Sequence, residues 1–313
     1  MPTPTDSFAI SPTETRSTSS LHLDELSSLE IVQLLNAEDA TVAAAVRPVL
    51  PALASLVDRA VTAVSRGGRI HYFGAGTSGR LAVLDAAELL PTFNLAPGIV
   101  EAHIAGGDVA LRHAVEGSED SRSAGRSAAG DVSAGDVAIG IAASGNTPYV
   151  RAALAEAQER GAFTALLCAN PYAGTENVDE LIVADSGPEV LTGSTRLKAG
   201  TAAKLMLNGF STALMVRLGY SWSNLMVNVV ATNAKLRARS VRIFADVSGL
   251  DSAAAETALA NASGDLKTAL VMHLTGAHRD DAQAALTSAR GVVRTAAESL
   301  TAQQTHHRAT SAD

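Results

Sequence analysis

Cysteine is almost missing from this chain, with Cys168 the single example in 313 residues. That excludes an internal disulfide and any multi-cysteine metal centre. Aromatic residues are scarce too, at 4%, so Ala, Val, Leu and Ile must fill the core. No apolar run approaches the ~20 residues that span a bilayer, and the N-terminus lacks the basic segment and apolar stretch of a secretory signal. Long Lys/Arg runs are absent, and basic residues are not interleaved with aromatics. With a net charge of −8 and a pI of about 5.5, nucleic acid is a poor partner. These absences together predict a soluble, cytoplasmic protein with no membrane partner.

What is present supports a sizeable core. Hydrophobic residues make up 47% and charged residues 18%, with a mean hydropathy of +0.15, enough for one large core or one core and a small satellite. Residues 1–20 are rich in Ser, Thr and Pro and read as a flexible arm. Leu23 to Asp39 is amphipathic, with Leu26, Leu29, Ile31, Val32, Leu34 and Leu35 able to form an apolar stripe. A second helical stretch, about Thr41 to Ser65, contains Pro48 and Pro51, which mark a kink or break.

Short apolar runs then alternate with helical ones. Strands are expected at Arg69–Phe73, Ile99–Ile104, Val137–Ile141, Phe163–Cys168 and Leu181–Ala184. Helices are expected at Leu81–Leu90, around Leu111–Ala129, at Tyr149–Arg160 and at about Lys198–Leu218. This order predicts an α/β fold with a doubly wound parallel sheet and helices on both faces. Ligands in such folds sit beyond the carboxyl ends of the strands. From Leu225 the pattern is helical, first to Ala245 and then at Ser252–Ala260, Leu266–Leu274 and Asp280–Leu286. That predicts a small all-α satellite, with His306 and His307 in a fraying tail.

Three loops qualify as anion sites. Gly74-Ala75-Gly76-Thr77-Ser78-Gly79-Arg80 follows the first strand and opens a helix, where glycines permit close backbone approach and the helix start favours negative charge. It also matches the G-x-G-x-x-G dinucleotide fingerprint, with Glu101 as the acidic residue downstream. A second loop, Ala143-Ser144-Gly145-Asn146-Thr147-Pro148, tips the balance towards a compact phosphate monoester. Thr77, Ser78, Ser144 and Thr147 put four hydroxyls on two strand ends, although Ser144 and Thr147 also suit plain helix capping. The third segment, Thr192 to Thr201, adds Ser194 with Arg196 and Lys198; it reads either as a capped helix with two solvated cations or as part of a sugar pocket.

Carboxylates supply candidate chemistry. Asp85 and Glu88 lie three residues apart on one helix face, and burial of Glu88 in the apolar stretch LAVLDAAELL would raise its pKa and make it a usable acid. In HAVEGSEDS, Glu119 and Asp120 sit where a helix can begin, with Ser118 as a candidate cap. His113 has no second ligand beside it, so no metal site is expected there, and Ser144 lacks the G-x-S-x-G spacing of a nucleophile elbow. The residues alone therefore indicate a phosphosugar pocket and several carboxylates, without fixing a reaction.

The strings GAGTSGRLAVLDAAE, IAGG, HAVEGSEDS, IAASGNTPYV, TGSTRLKAGTAAKLMLN and NLMVNVVATNAKL, in this order, resemble the N-acetylmuramic acid 6-phosphate etherases of the sugar isomerase (SIS) superfamily. The resemblance runs from about Thr13 to Leu300. It implies N-terminal helices over 21–56, a SIS domain over 57–224, a helical domain over 225–300 resembling a ubiquitin-associated three-helix motif, and a tail over 301–313. It also implies Glu88 as proton donor and Glu119 as second acid/base, with no metal or cofactor; Thr77, Ser78, Ser144, Thr147 and Ser194 are the substrate contacts expected from the loops. The expected activity converts N-acetylmuramic acid 6-phosphate and water to N-acetylglucosamine 6-phosphate and D-lactate, within a homodimer. One departure is visible: members commonly carry Cys-Pro before Pro-Thr, where this chain has Leu89-Leu90-Pro91-Thr92. A phosphosugar-sensing regulator, an aldose–ketose isomerase and a dinucleotide oxidoreductase are the rival readings.

Overall fold

The computed structural model describes residues 11–228 and 234–310, with side chains through residue 304. The chain divides into two compact units, residues 1–87 with 97–214 and residues 88–96 with 215–313.

In the first unit, short 3-10 turns at Pro12–Glu14, Thr18–Ser20 and Leu23–Glu25 lead into α1 (Ser28–Asp39), α2 (Val42–Val46) and α3 (Leu50–Ser65). Residues 1–10 of the expected flexible arm lie outside the described residues. Within 11–20, Thr13 is fully buried. A capping box holds the start of α1, with Glu30 N–H donating to Ser27 Oγ and Ser27 N–H donating to Glu30 Oε2. The break expected at Pro48 is a 3-10 turn over Arg47–Val49, while Pro51 is accommodated in the first turn of α3. By composition, Ser28–Ser65 does contain an 18-residue window apolar enough for a membrane, of hydropathy 1.7, contrary to the sequence expectation. It is nevertheless cut into three helices, and α3 turns Leu53, Leu56, Val57, Ala60 and Ala63 inward. No residue of α1 is buried; Leu29 and Val32, from its expected stripe, stay exposed.

The sheet follows: β1 (Ile70–Gly74), α4 (Gly76–Phe93), β2 (Val100–Ile104), α5 (Val109–Arg112), α6 (Arg122–Ala128), β3 (Val137–Ile141), α7 (Pro148–Glu159), β4 (Phe163–Cys168), β5 (Glu180–Val183) and α8 (Lys198–Arg217). All five strands run parallel in the order β2-β1-β3-β4-β5. β1 is buried throughout, as a central strand with both faces covered must be. On one face Tyr72 packs edge-on against Phe210 of α8. On the other, Phe73 joins Ala138, Tyr149, Val150 and Leu154 beneath α6 and α7. Gly140 is required here, because a methyl on it would stand 2.7 Å from Val150 Cγ1.

One long helix expected around 111–129 is instead α5, a 3-10 turn at Ser118–Asp120, and α6. Gly117, at φ 69°, takes the left-handed conformation that ends helical continuation.

The second unit differs from expectation at its start. Residues 225–245 are not one helix: β6 (Ser221–Trp222) and β7 (Leu225–Met226) form a hairpin, and α9 runs over Ala234–Ser248. Ser223 turns the hairpin at φ 53°, a conformation that a non-glycine serine does not advertise. Residues 229–233 of that expected helix lie outside the described residues. α10 (Ser252–Asn261), α11 (Leu266–Thr275) and α12 (Arg279–Ser288) match the three expected short helices, with Asp251 and Asp265 capping the first two. α13 (Val293–Thr310) carries the backbone of His306 and His307 in helical form; their side chains lie outside the described residues. Phe244, Leu259, Leu270, Leu286, Val293 and Ala296 share this unit's core.

Candidate active site

In a parallel sheet of order 2-1-3-4-5, the crevice opens where chain order reverses, between β1 and β3. Gly74 and Ile141 are register partners there. The two hydroxyl-bearing loops therefore leave neighbouring strands at the same level. Thr77, Ser78, Ser144 and Thr147 are each half-buried at that level.

The first loop is built by glycine contact. A methyl on Gly74 would lie 2.6 Å from Gly79 N, and one on Gly79 would lie 2.6 Å from Ile104 Cγ1. Gly76, at φ 53°, turns the chain from β1 into α4. This folds the N-terminal turn of α4 directly onto the end of β1, so its unpaired N–H groups face the crevice.

The second loop is held by residues that sequence reasoning missed. Asn170, just beyond β4, donates from Nδ2 to Ser144 O at 2.9 Å. Arg151 donates from Nε to Gly145 O at 2.7 Å and from Nη2 to Gly174 O at 2.6 Å. Ser144 Oγ accepts from Asn146 N–H at 3.2 Å, closing a turn inside the loop. Thr147 stands at the N-cap of α7 but its side chain caps nothing. Simple capping therefore does not account for Thr147, and its hydroxyl is available to a ligand.

The third segment meets the first: a methyl on Gly200 would stand 3.6 Å from Thr77 Cγ2. Ser194 is half-buried and Arg196 exposed. Lys198 is not the solvated cation that one reading expected. Its Nζ lies 2.6 Å from Glu38 Oε2, with 5% of its side chain exposed. The helix is capped by Glu189, fully buried, whose carboxylate accepts Lys198 N–H at 2.9 Å and Ala199 N–H at 3.0 Å. No local spacing announces this cap, since Glu189 stands nine positions before Lys198.

The carboxylates are arranged differently from expectation. Asp85, not Glu88, is the buried one. It accepts from Tyr72 Oη at 3.1 Å and from Ser211 Oγ at 2.8 Å. Burial pushes its carboxyl up to about 6 against the downward pull of those two hydrogen bonds. Glu88, three residues on and so about 60° away around the helix, is on the exposed side with Leu84, Ala87 and Pro91.

Glu119 is exposed in the 3-10 turn between α5 and α6. Ser118, the expected cap, donates back to Val115 O; the cap of α6 is Ser121, whose Oγ accepts Ala124 N–H at 3.2 Å. Two anchors place this segment beside the crevice. Arg80, one turn into α4, donates to Leu111 O and His113 O, both at 3.2 Å. Gly125 of α6 packs so closely on α7 that a methyl there would fall 2.1 Å from Tyr149 O. The Glu119 turn is thus fixed between the helices that follow the first and second loops. His113 contributes its carbonyl and its side chain is exposed.

The family model of the glucokinase regulatory protein N-terminal SIS domain matches residues 52–158. An N-acetylmuramic acid 6-phosphate etherase of Thermobifida fusca is 55% identical over 265 residues, covering 84% of this chain and 87% of that protein. One of Glaesserella parasuis is 46% identical over 284 residues, covering 90% and 93%. Among solved structures, a phosphoheptose isomerase from Francisella tularensis superposes with a TM-score of 0.47 at 17% identity, over 60% of this chain and 98% of its own.

Proposed function

The chain belongs to the N-acetylmuramic acid 6-phosphate etherase family of carbon–oxygen lyases, and from that premise we propose how its own residues divide the work. It cleaves the D-lactyl ether of N-acetylmuramic acid 6-phosphate. The observation that carries this function is the 55% identity to an etherase across 84% of the chain. The geometry agrees with it: the crevice between β1 and β3 is lined by hydroxyls and helix-start N–H groups suited to a phosphate monoester.

In our proposal Thr77, Ser78, Ser144, Thr147 and Ser194 hold the 6-phosphate and the open-chain sugar. The aldehyde at C1 acidifies C2–H, and Glu119 removes that proton. The C3–O bond breaks while Glu88 protonates the departing lactyl oxygen, leaving a C2=C3 double bond conjugated with the aldehyde. Water then adds at C3 and a proton returns to C2, so D-lactate leaves with its original ether oxygen. No step needs a metal or cofactor.

Glu88 stands about 16 Å along α4 from Thr77 at 1.5 Å per residue. We assign Glu88 to the crevice of a second copy in a homodimer, with Glu119 supplied by the subunit that binds the phosphate. The surroundings of Glu88 favour this: Leu84 is 53% exposed and Leu90 52% exposed on the same helix. A two-fold partner would cover such a strip. We place the enzyme in the cytoplasm, where phosphorylated sugars are retained.

The test is incubation with N-acetylmuramic acid 6-phosphate in ²H- and ¹⁸O-labelled water. D-lactate release, deuterium at C2 and ¹⁸O at C3 of the amino sugar are expected. Label in the lactate instead would replace elimination by direct displacement. Phosphosugar binding without any D-lactate would make the chain a sensor.

A further inference from the structure

Away from the crevice, the parallel pairing of β1 with β2 sets His71 opposite Glu101 and Phe73 opposite His103. Residues two apart on a strand share a face, so all four side chains project from the same side of the sheet edge. Their rings stack: Phe73 and His103 are 4.8 Å apart at 13°, and His71 and His103 are 5.5 Å apart at 20°. Two imidazoles and a carboxylate are thereby gathered from positions 32 residues apart in the sequence, none of which the etherase chemistry uses.

We propose that His71 Nδ1, His103 Nε2 and a carboxylate oxygen of Glu101 form a binding site for one zinc-class divalent cation, with water as the fourth ligand. The two nitrogens are 3.2 Å apart, and His71 Nδ1 lies 3.8 Å from Glu101 Oε2. Zinc–nitrogen bonds of 2.0–2.1 Å at tetrahedral angles put neighbouring ligand atoms about 3.3 Å apart. The nitrogens already have that spacing, and a small rotation of Glu101 supplies the third ligand. All three ligand atoms fall within 4.8 Å of one another.

The surroundings prepare the site. His71 is fully buried, and its Nε2 makes no hydrogen bond within the described residues. Asp136 Oδ2 faces that nitrogen at 3.5 Å and is itself fixed, its two oxygens accepting Arg69 N–H at 2.7 Å and Ser133 N–H at 2.8 Å. A carboxylate behind a ligating histidine keeps the proton on the far nitrogen and directs the near lone pair at the metal. Burial holds both imidazoles below their ordinary pKa, with Arg69 adding to the effect at His71 and His71 itself adding to it at His103. Without an ion, one ring N–H lies between the two nitrogens. On binding, the His103 proton shifts to its own Nδ1, and no net proton is released. Glu101 keeps 37% of its side chain exposed, which leaves an entry path.

The site would clamp the edge strand β2, whose end Ile104 packs on Gly79 of the phosphate loop. Its role is therefore bracing rather than chemistry. The test starts from metal-free, full-length protein carrying H306A/H307A, so that the C-terminal histidine pair cannot bind. Titration with Co²⁺ should show one ion per chain with the visible absorption of tetrahedral coordination, displaced by Zn²⁺, and a higher thermal midpoint. His103→Leu should lower Co²⁺ affinity at least ~10-fold and abolish the band, and Glu101→Gln should weaken binding while the fold is retained. Binding by His103→Leu with unchanged affinity and spectrum would overturn the proposal, as would no stoichiometric binding by the parent. Because the turnover readout of the etherase is not used, failure here leaves that function untouched.

Discussion

Glu88 and Glu119 are both exposed, so each can be replaced without disturbing a core. Positioned acids and bases contribute ~10²–10⁴-fold each. Glu88→Gln and Glu119→Gln should each lose at least about two orders of magnitude in D-lactate release, with phosphosugar affinity retained by calorimetry. Asp85 predicts something different. Its folded value of about 6 lies above the ordinary 3.8, so between those values the folded chain keeps a proton that the unfolded chain has released. Stability from this group is therefore fully present below pH 3.8 and lost as pH rises to about 6. The shift is worth about 3 kcal/mol. Asp85→Asn should remove that slope, gaining on the wild type between pH 4.5 and 7.5 in urea unfolding. An identical pH dependence in both proteins would show that the carboxyl titrates normally. The sequence put Asp85 and Glu88 on one helix, but which of them faces the core depends on a rotation of about 60° that only the packing of Tyr72 and Ser211 decides.

At the level of elements, the two hydroxyl-bearing loops were legible as loops because their signals are local. Glycine, hydroxyl and helix start occur within a few residues, and the strands beneath them read as apolar runs. The braces were not legible. Arg151 reaches back from α7 to the Gly145 carbonyl, Glu189 caps α8 from a loop, and Lys198 pairs with Glu38 across 160 residues. Pattern reading also carried the α9 helix too far towards the N-terminus, since Ser223 turns its hairpin without a glycine. Arg151→Ala should leave three loop carbonyls without their donor, raising KM for the phosphosugar several-fold and leaving kcat within about threefold, because the chemistry lies on other elements. An equal fall in kcat would instead place Arg151 in the reaction. Gly79→Ala should be harsher, since its methyl would press on Ile104 Cγ1 at 2.6 Å; overpacking of this kind costs about 1–3 kcal/mol, readable as a lowered thermal midpoint.

For the whole molecule, a two-fold assembly in which each crevice borrows Glu88 from its partner makes a quantitative prediction. Mixed and re-equilibrated, the inactive Glu88→Gln and Glu119→Gln proteins would form heterodimers holding one intact pair of glutamates. About a quarter of wild-type activity should return if subunits exchange at random in a closed C2 dimer. No recovery, despite exchange shown by mass spectrometry, would return both glutamates to one subunit. Leu84→Arg, placed beside Glu88, should shift the sedimentation profile to monomer and reduce turnover with it. The contact between Thr13 O and Gly193 N–H has its own consequence. It makes the 3-10 turn at Pro12–Glu14 a strap across the segment that carries Ser194. A trypsin cut after Arg16 would release that strap, so a clipped enzyme should lose its grip on substrate while its far-ultraviolet spectrum stays unchanged.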